Sequence, residues 1–252
     1  MIYFLSDVHL GLEERAADRE RERLLCAFLR RAQDRCERLF IVGDLFDYWF
    51  EYGTVIPKFH VRTLASLADY TERGIAVDYL IGNHDFGHRD YFERELGVRV
   101  HAGDLEITLG GKRFYLAHGD GKALNDEAYR AFRSVTRSPL ALRLWRWLHP
   151  DAGITLAAAA SKSSRARDEE REKERGEGDG LEIFARKRLA EGFDAVIMGH
   201  LHAPLEKQMH GGVYVNLGDW LTHYTLAEFN PAADNSLPRL RRLRDVLDEL
   251  PD

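Results

Sequence analysis

The chain reads as an α/β protein of two packed β-sheets with helices outside, and three observations predict this. Residues 2–81 alternate short apolar runs with longer charged, amphipathic runs. This β-α-β-α-β rhythm implies a mostly parallel sheet covered by helices. From Leu105 onward the apolar runs lie closer together and share glycine turns, the pattern of antiparallel strands. The apolar runs also stop repeatedly at clusters of Asp, Asn and His, and ligands of open α/β sheets sit outside the carboxyl ends of the strands.

In order, Ile2 to Ser6 is a short strand ending in Asp7-Val8-His9. Glu14 to Cys36 is a helix, with Leu24, Leu25, Phe28 and Leu29 recurring at helical spacing among charged residues. Leu39 to Val42 is the second strand, closed by Gly43-Asp44. Pro57 to Arg73 suits a helix with Pro57 in its first turn. Ile75 to Ile81 is a buried third strand, followed at once by Gly82-Asn83-His84-Asp85. Leu105 to Leu109, Gly110-Gly111 and Lys112 to Ala117 form a hairpin that delivers His118-Gly119-Asp120. Ala195 to Met198 delivers Gly199-His200-Leu201-His202, whose histidines alternate along an extended segment and so face one side. Val213 to Leu217 and Thr222 to Phe229 are further strands.

Residues 1–252 form a single domain in this reading, carrying a helical lid insertion over 125–191. The insertion opens with large apolar groups, Phe132, Leu140, Leu142, Leu144, Trp145, Trp147 and Leu148. Its middle, Ser161 to Gly180, is almost all charged, serine or glycine, a solvated helix or a mobile loop. The tail from Leu237 is expected to be a short, charged, peripheral helix.

The bulk composition narrows the class. A length of 252 residues with 44% hydrophobic content supports one sizeable core. A formal net charge of -6 gives no global basic field for nucleic acid. Cys26 and Cys36 lie on one helix about 15 Å apart, too far for a disulfide. Inert thiols in a reducing compartment follow. Met1 leads straight into Ile2-Tyr3-Phe4-Leu5 without a basic segment, and no apolar run approaches the roughly 18 residues that span a bilayer. The expectation is a soluble cytoplasmic protein.

The strand-end donors are Asp7, His9, Asp44, Asn83, His118, His200 and His202. A strand cap or a turn accounts for any one cluster alone, but not for five of them placed after apolar strands. All seven offer nitrogen or oxygen, which favours Mn, with Fe or Zn as alternatives, over a structural cysteine-type zinc site. Seven ligands exceed the usual share of one ion. Two divalent metal ions bridged by a carboxylate fit better, with Asp44, from a central strand, as the bridge. Asp7, His9 and His202 would hold one ion, and Asn83, His118 and His200 the other. Two ions about 3.5–4 Å apart clamp a phosphoryl group. His84 is placed to move a proton and Asp85 to orient its imidazole. Of the remaining histidines, His60, His101, His149, His210 and His223 read as surface or packing residues, and His88 lies near the site.

The ordered set Asp7-Val8-His9, Gly43-Asp44, Gly82-Asn83-His84-Asp85, His118-Gly119-Asp120 and Gly199-His200-Leu201-His202 resembles the calcineurin-like metallophosphoesterases. That resemblance spans nearly the whole chain. It implies a four-layer α-β-β-α sandwich, a binuclear metal site, and a His84 held by Asp85 that acts as acid or transition-state stabiliser. Within the superfamily, Gly43-Asp44-Leu45-Phe46-Asp47-Tyr48-Trp49 resembles the UDP-2,3-diacylglucosamine diphosphatases of lipid A synthesis. So do Asp126, Tyr129 and Phe132-Arg133 after His118-Gly119-Asp120, the helical insertion, and Val215-Asn216-Leu217-Gly218-Asp219-Trp220. This implies cleavage of the pyrophosphate of UDP-diacylglucosamine by attack on the α-phosphorus, giving UMP and lipid X. Asn83, Asp126, Tyr129 and Ser161 would bind substrate, the insertion would cover the acyl chains, and the protein would touch the inner membrane peripherally. Two departures stand out. Many members carry Arg where this chain has His84, and Ala158 stands where an Arg precedes the Ser161-Lys162 step. A phosphodiesterase or phosphatase for another nucleotide or phosphoester is the alternative.

Overall fold

The computed structural model describes residues 1–122, 127–157, 159 and 177–251. The N-terminal units form as their patterns dictate. β1 (Ile2–Leu5), β2 (Arg38–Val42) and β3 (Ala76–Leu80) are parallel, and a short β4 (Arg99–His101) extends them. β1 is buried on both faces, as a strand covered by helices on one side and a second sheet on the other must be. Tyr3 and Leu5 point to the helices, whereas Ile2 and Phe4 point to the other sheet. Between these strands come α1 (Arg15–Ala32), α2 (Val61–Glu72) and the one-turn α3 (Tyr91–Arg94). α1 lays Leu25, Phe28 and Leu29 against this sheet.

The second sheet is built on the hairpin of β5 (Leu105–Leu109) and β6 (Lys112–Ala117). β7 (Ala195–Met198) runs parallel to β6, β9 (Gly212–Asn216) runs parallel to β7, and β8 (Leu205–Met209) closes the edge antiparallel to β9. The chain then returns to the first sheet as β10 (Thr225–Phe229) and β11 (Arg239–Arg242), both antiparallel additions. The strand orders are β11-β10-β1-β2-β3-β4 and β5-β6-β7-β9-β8. Phe4, Phe40, Val42 and Leu80 from one sheet meet Phe114, Leu116, Ile197 and Val215 from the other. Phe4 stacks on Phe40 at 5.0 Å and on Phe114 at 5.9 Å, so the two sheets form one core.

The insertion contains α4 (Glu127–Thr136), α5 (Pro139–Trp145), α6 (150–157) and α7 (Glu177–Ala190). Ser138 caps α5, accepting from Ala141 N at 3.2 Å with Pro139 in the first turn. α7 departs from the expected insertion over 125–191. Its Leu181, Ala185 and Leu189 pack on Tyr115, Val196 and Tyr214, so it is the outer helical layer of the second sheet. α1, α2 and α8 (Leu243–Glu249) form the opposite outer layer, completing four layers.

Two other expectations shift. α2 begins at Val61 rather than near Pro57, because His60 takes a left-handed φ of 67° that ends the preceding loop. The tail is not peripheral. β11 pairs with β10, and Leu243, Val246 and Leu250 enter the core beside α1. No helix among the described residues is long and apolar enough to cross a membrane.

Candidate metal centre

The carboxyl ends of β1, β2, β3, β6 and β7 meet at one end of the sandwich. The turns there are tight enough to need special backbone. Asp7, His9, Asp44, His200 and His202 all have positive φ, between 48° and 73°. L-residues with side chains occupy that region rarely, and such outliers cluster at functional sites. A Cβ on Gly82 would overlap the Asp44 carboxylate, and one on Gly199 would overlap that of Asp7. These glycines let the loops approach closely enough to bring the carboxylates together.

His9 Nε2 lies 3.1 Å from His202 Nε2 and 3.7 Å from Asp7 Oδ1, which is itself 3.4 Å from His202 Nε2. On the other side, His118 Nε2 lies 3.2 Å from Asp44 Oδ2 and 2.9 Å from Asn83 Oδ1. Asp44 Oδ2 is also 3.8 Å from His9 Nε2, so Asp44 stands between the two groups. Among the described residues, three donor triads converge, Asp7-His9-His202, His9-Asp44-His84 and Asp7-Asp44-His118. None includes His200, whose ring stands edge-on to His118 at 5.2 Å. Its backbone N–H donates to Asp7 Oδ2 at 2.9 Å. The His200-Leu201-His202 step is not extended as expected. Left-handed backbone at both histidines lets one ring approach His118 and the other Asp7.

The electrostatics are those of a cation site. Burial alone would raise the carboxyl of Asp7, but His202 and His9 hold it well below the usual carboxylate range. Asp44 is likewise lowered, against its burial, by His118, His84 and His9. Burial would lower the imidazole of His9, yet Asp47, Asp7 and Asp44 raise it to about 9. His118 is raised to about 10 in the same way, against its burial, chiefly by Asp44. Among the described residues, Asp7 Oδ1 is buried without a hydrogen-bond partner and faces two imidazole nitrogens. A divalent metal satisfies that oxygen and both lone pairs together, so the donors present fit metal. When bound, such an ion would displace the protons these imidazoles otherwise hold.

Supporting bonds fix the donors. His118 Nδ1 is 2.9 Å from Val42 O, Ser6 Oγ donates to Asp7 Oδ2 at 2.5 Å, and the His84 N–H donates to Asp44 Oδ1 at 2.9 Å. Asp85, expected to orient His84, is held by backbone and tyrosine donors. Its carboxylate accepts from Gly82 N at 2.8 Å, from Leu45 N at 3.0 Å and from the Tyr79 hydroxyl, which locks the turn. The carboxylate beside the His84 ring is that of Asp47, with Oδ1 3.5 Å from His84 Nδ1 and 3.4 Å from His9 Nδ1. Asp47 was missed in sequence. Its signal was a second carboxylate three residues past Asp44.

His88 is caged by Tyr79, Phe92 and Trp49, with Nδ1 3.6 Å from Glu51. Tyr129 turns its hydroxyl to Asp120 Oδ2 at 3.3 Å. Asp126 and Ser161 lie outside the described residues.

Two packed sheets with a His/Asp/Asn cluster at their shared end define a hydrolase that works with divalent metal. The chain belongs to the calcineurin-like phosphoesterase family, whose model matches residues 1–204. It is similar to a UDP-2,3-diacylglucosamine hydrolase of Porphyromonas gingivalis, 38% identical over 157 residues, which are 62% of this chain and 60% of that protein. The match thus spans three-fifths of that relative's length. A protein of the same name from Haemophilus influenzae is 29% identical over 88% of this chain and 91% of its own length. One from Neisseria meningitidis is 28% identical over 88% of this chain and 90% of its own.

Proposed function

We propose that the chain hydrolyses the pyrophosphate of UDP-2,3-diacylglucosamine to UMP and 2,3-diacylglucosamine 1-phosphate. The observation that carries this is the overlap of donor triads on Asp7 and Asp44, in a chain similar over 88% of its length to hydrolases of that substrate. In this reading Asp7, His9 and His202 hold one ion, and Asn83, His118 and His200 the other, with Asp44 shared. Mn suits this all-nitrogen and oxygen set, which Fe and Zn also accept. Bound ions supply positive charge to the phosphoryl oxygens and acidify water. His84, beside Asp47 and tethered through its backbone to Asp44, is placed to pass a proton to the departing phosphate oxygen.

The segment α4–α6 serves as a lid over the acyl chains. Phe132, Leu140, Leu144 and Trp147 are exposed along it, interleaved with Arg130, Arg133, Arg143 and Arg146. Leu142 and Trp145 are half-buried, and Trp145 leans on Phe50 at 6.0 Å. Apolar groups among arginines suit both acyl chains and the anionic cytoplasmic face of a membrane.

The test is UMP release by metal-depleted protein refilled with Mn, Fe or Zn. UDP-2,3-diacylglucosamine is expected to be cut far faster than UDP-N-acetylglucosamine or bis-p-nitrophenyl phosphate. Equal rates on all three would replace this reading with a general phosphodiesterase.

A further inference from the structure

Arg137 follows α4 and reaches two loops of the metal centre. Its Nη2 donates to Gly82 O at 3.1 Å and to Asp120 Oδ2 at 3.0 Å. Its guanidinium also lies 5.3 Å from the centre of the Phe86 ring. Gly82 and Phe86 bracket Asn83-His84-Asp85, so one side chain grips the loop from both ends. Asp120 follows His118 by two residues, and His118 Nε2 is 2.9 Å from Asn83 Oδ1. Arg137 therefore touches both loops that bring Asn83 and His118 together.

Asp120 is buried and is the node through which α4 is rooted. Arg133 Nη1 donates to its carbonyl at 3.0 Å and stands 3.2 Å from its carboxylate, and the Tyr129 hydroxyl donates to it at 3.3 Å. The Arg137 side chain is only 16% exposed, so its pairs are shielded and its loss would leave a buried carboxylate short of a partner. Meanwhile α4 also carries the exposed Phe132 and Val135. The helix that presents apolar surface is thus anchored on the backbone of the metal loop.

We propose that Arg137 is a positioning residue that locks the lid and the Asn83-His84 loop into one unit, so that lid placement and the alignment of the reacting groups change together. This rests on the reading of α4–α6 as a lid. A lysine would keep the charge but not the planar group that bonds Gly82 and Asp120 through one nitrogen while stacking on Phe86.

The test compares Arg137→Ala, Arg137→Lys and Arg146→Ala, the last removing a different anchor, the Arg146 Nε bond to Glu51 O at 3.0 Å. All are assayed at saturating Mn on bis-p-nitrophenyl phosphate and on UDP-2,3-diacylglucosamine, with amide exchange followed by mass spectrometry. Arg137→Ala is expected to lower kcat on the small diester by on the order of 10- to 100-fold, the scale of slight misalignment. It should also raise KM for the lipid substrate and speed exchange in residues 82–86 and 127–137 together. Arg137→Lys should recover only part of this. Arg146→Ala should raise the lipid KM without loosening 82–86. The proposal is overturned by unchanged kcat on the small diester, by full rescue with lysine, by exchange that rises in α4 alone, or by loosening of 82–86 in Arg146→Ala. If the unsubstituted protein does not cut the lipid substrate, the substrate reading fails. The small-diester kcat and the exchange pattern still decide the role of Arg137.

Discussion

Glu51 is a buried carboxylate that no reaction step uses, and replacing it by glutamine should cost the fold heavily at neutral pH and little in acid. Its Oε2 accepts from the backbone N–H groups of Arg89, Asp90 and Tyr91 at 2.8, 2.8 and 3.0 Å, closing the start of α3. Its Oε1 accepts from the Trp49 indole at 3.0 Å. Burial would raise this carboxyl, but His88, the Tyr91 N–H and the Trp49 N–H lower it to about 2 from 4.5. A lowered carboxyl contributes stability that is complete above its unfolded value and is lost as pH falls through its folded value. That lowering corresponds to about 3 kcal/mol, present above pH 4.5 and lost as pH falls through about 2. In Glu51→Gln one oxygen becomes an amide NH₂ facing other donors, so the loss at pH 7 should be of that size. Urea unfolding of both proteins at pH 7, 5 and 3 checks this, and comparison within each pH cancels any metal contribution. The gap should be about 3 kcal/mol at pH 7, nearly the same at pH 5, and clearly smaller at pH 3. A gap below about 1 kcal/mol at pH 7, or one that does not narrow in acid, refutes the electrostatic account of Glu51.

Other outcomes bear on the site. Asp44→Ala should bind neither ion tightly and lose essentially all turnover; two metals by elemental analysis with near-normal rate would end its bridging role. His84→Ala should keep its metal and lose roughly 10²–10⁴ in kcat, whereas metal loss in step with rate would make it a ligand, as its place in one donor triad permits. Asp47→Asn should lower activity or metal affinity by about 10–100-fold, since it supports two imidazoles at once; unchanged kinetics would mean that neither ring needs it. Trp147 is 81% exposed, so Trp147→Glu should leave thermal unfolding untouched while raising KM for the diacylated substrate and weakening binding to anionic vesicles.

What could be read from sequence follows a physical divide. β1, β2, β3 and β7 are short, mainly apolar strands buried on both faces, and their ends were visible because each stopped at a polar cluster. The β5–β6 hairpin matched residue for residue because Gly110-Gly111 marks its turn. The edge strands β4, β8 and β11 escaped, since Arg-Val-His, Leu-Glu-Lys-Gln-Met and Arg-Leu-Arg-Arg carry no apolar run and take their form from the neighbouring strand. The gathering of Asp, Asn and His at the strand ends was legible as residue types, but its wiring was not. That Asp85 serves Gly82, Leu45 and Tyr79 while Asp47 stands by His84 depends on where two separate loops cross. The roles of Arg137 and Glu51 likewise rest on partners dozens of residues away. The docking of α7 on the second sheet was hidden because a charged stretch precedes it.

The left-handed backbone at Asp7, His9, Asp44, His200 and His202 sets chemistry against endurance. Each such residue costs on the order of 1–2 kcal/mol, and five together rival the whole net stability of about 5–15 kcal/mol of an ordinary domain. Glycine at any of these positions relaxes the backbone and deletes a donor in one step. A screen that rewards heat resistance alone would therefore enrich inactive variants, and would find them at the strand tips before the core. A lineage released from the need to hydrolyse anything would drift the same way, keeping its sandwich and shedding its donors.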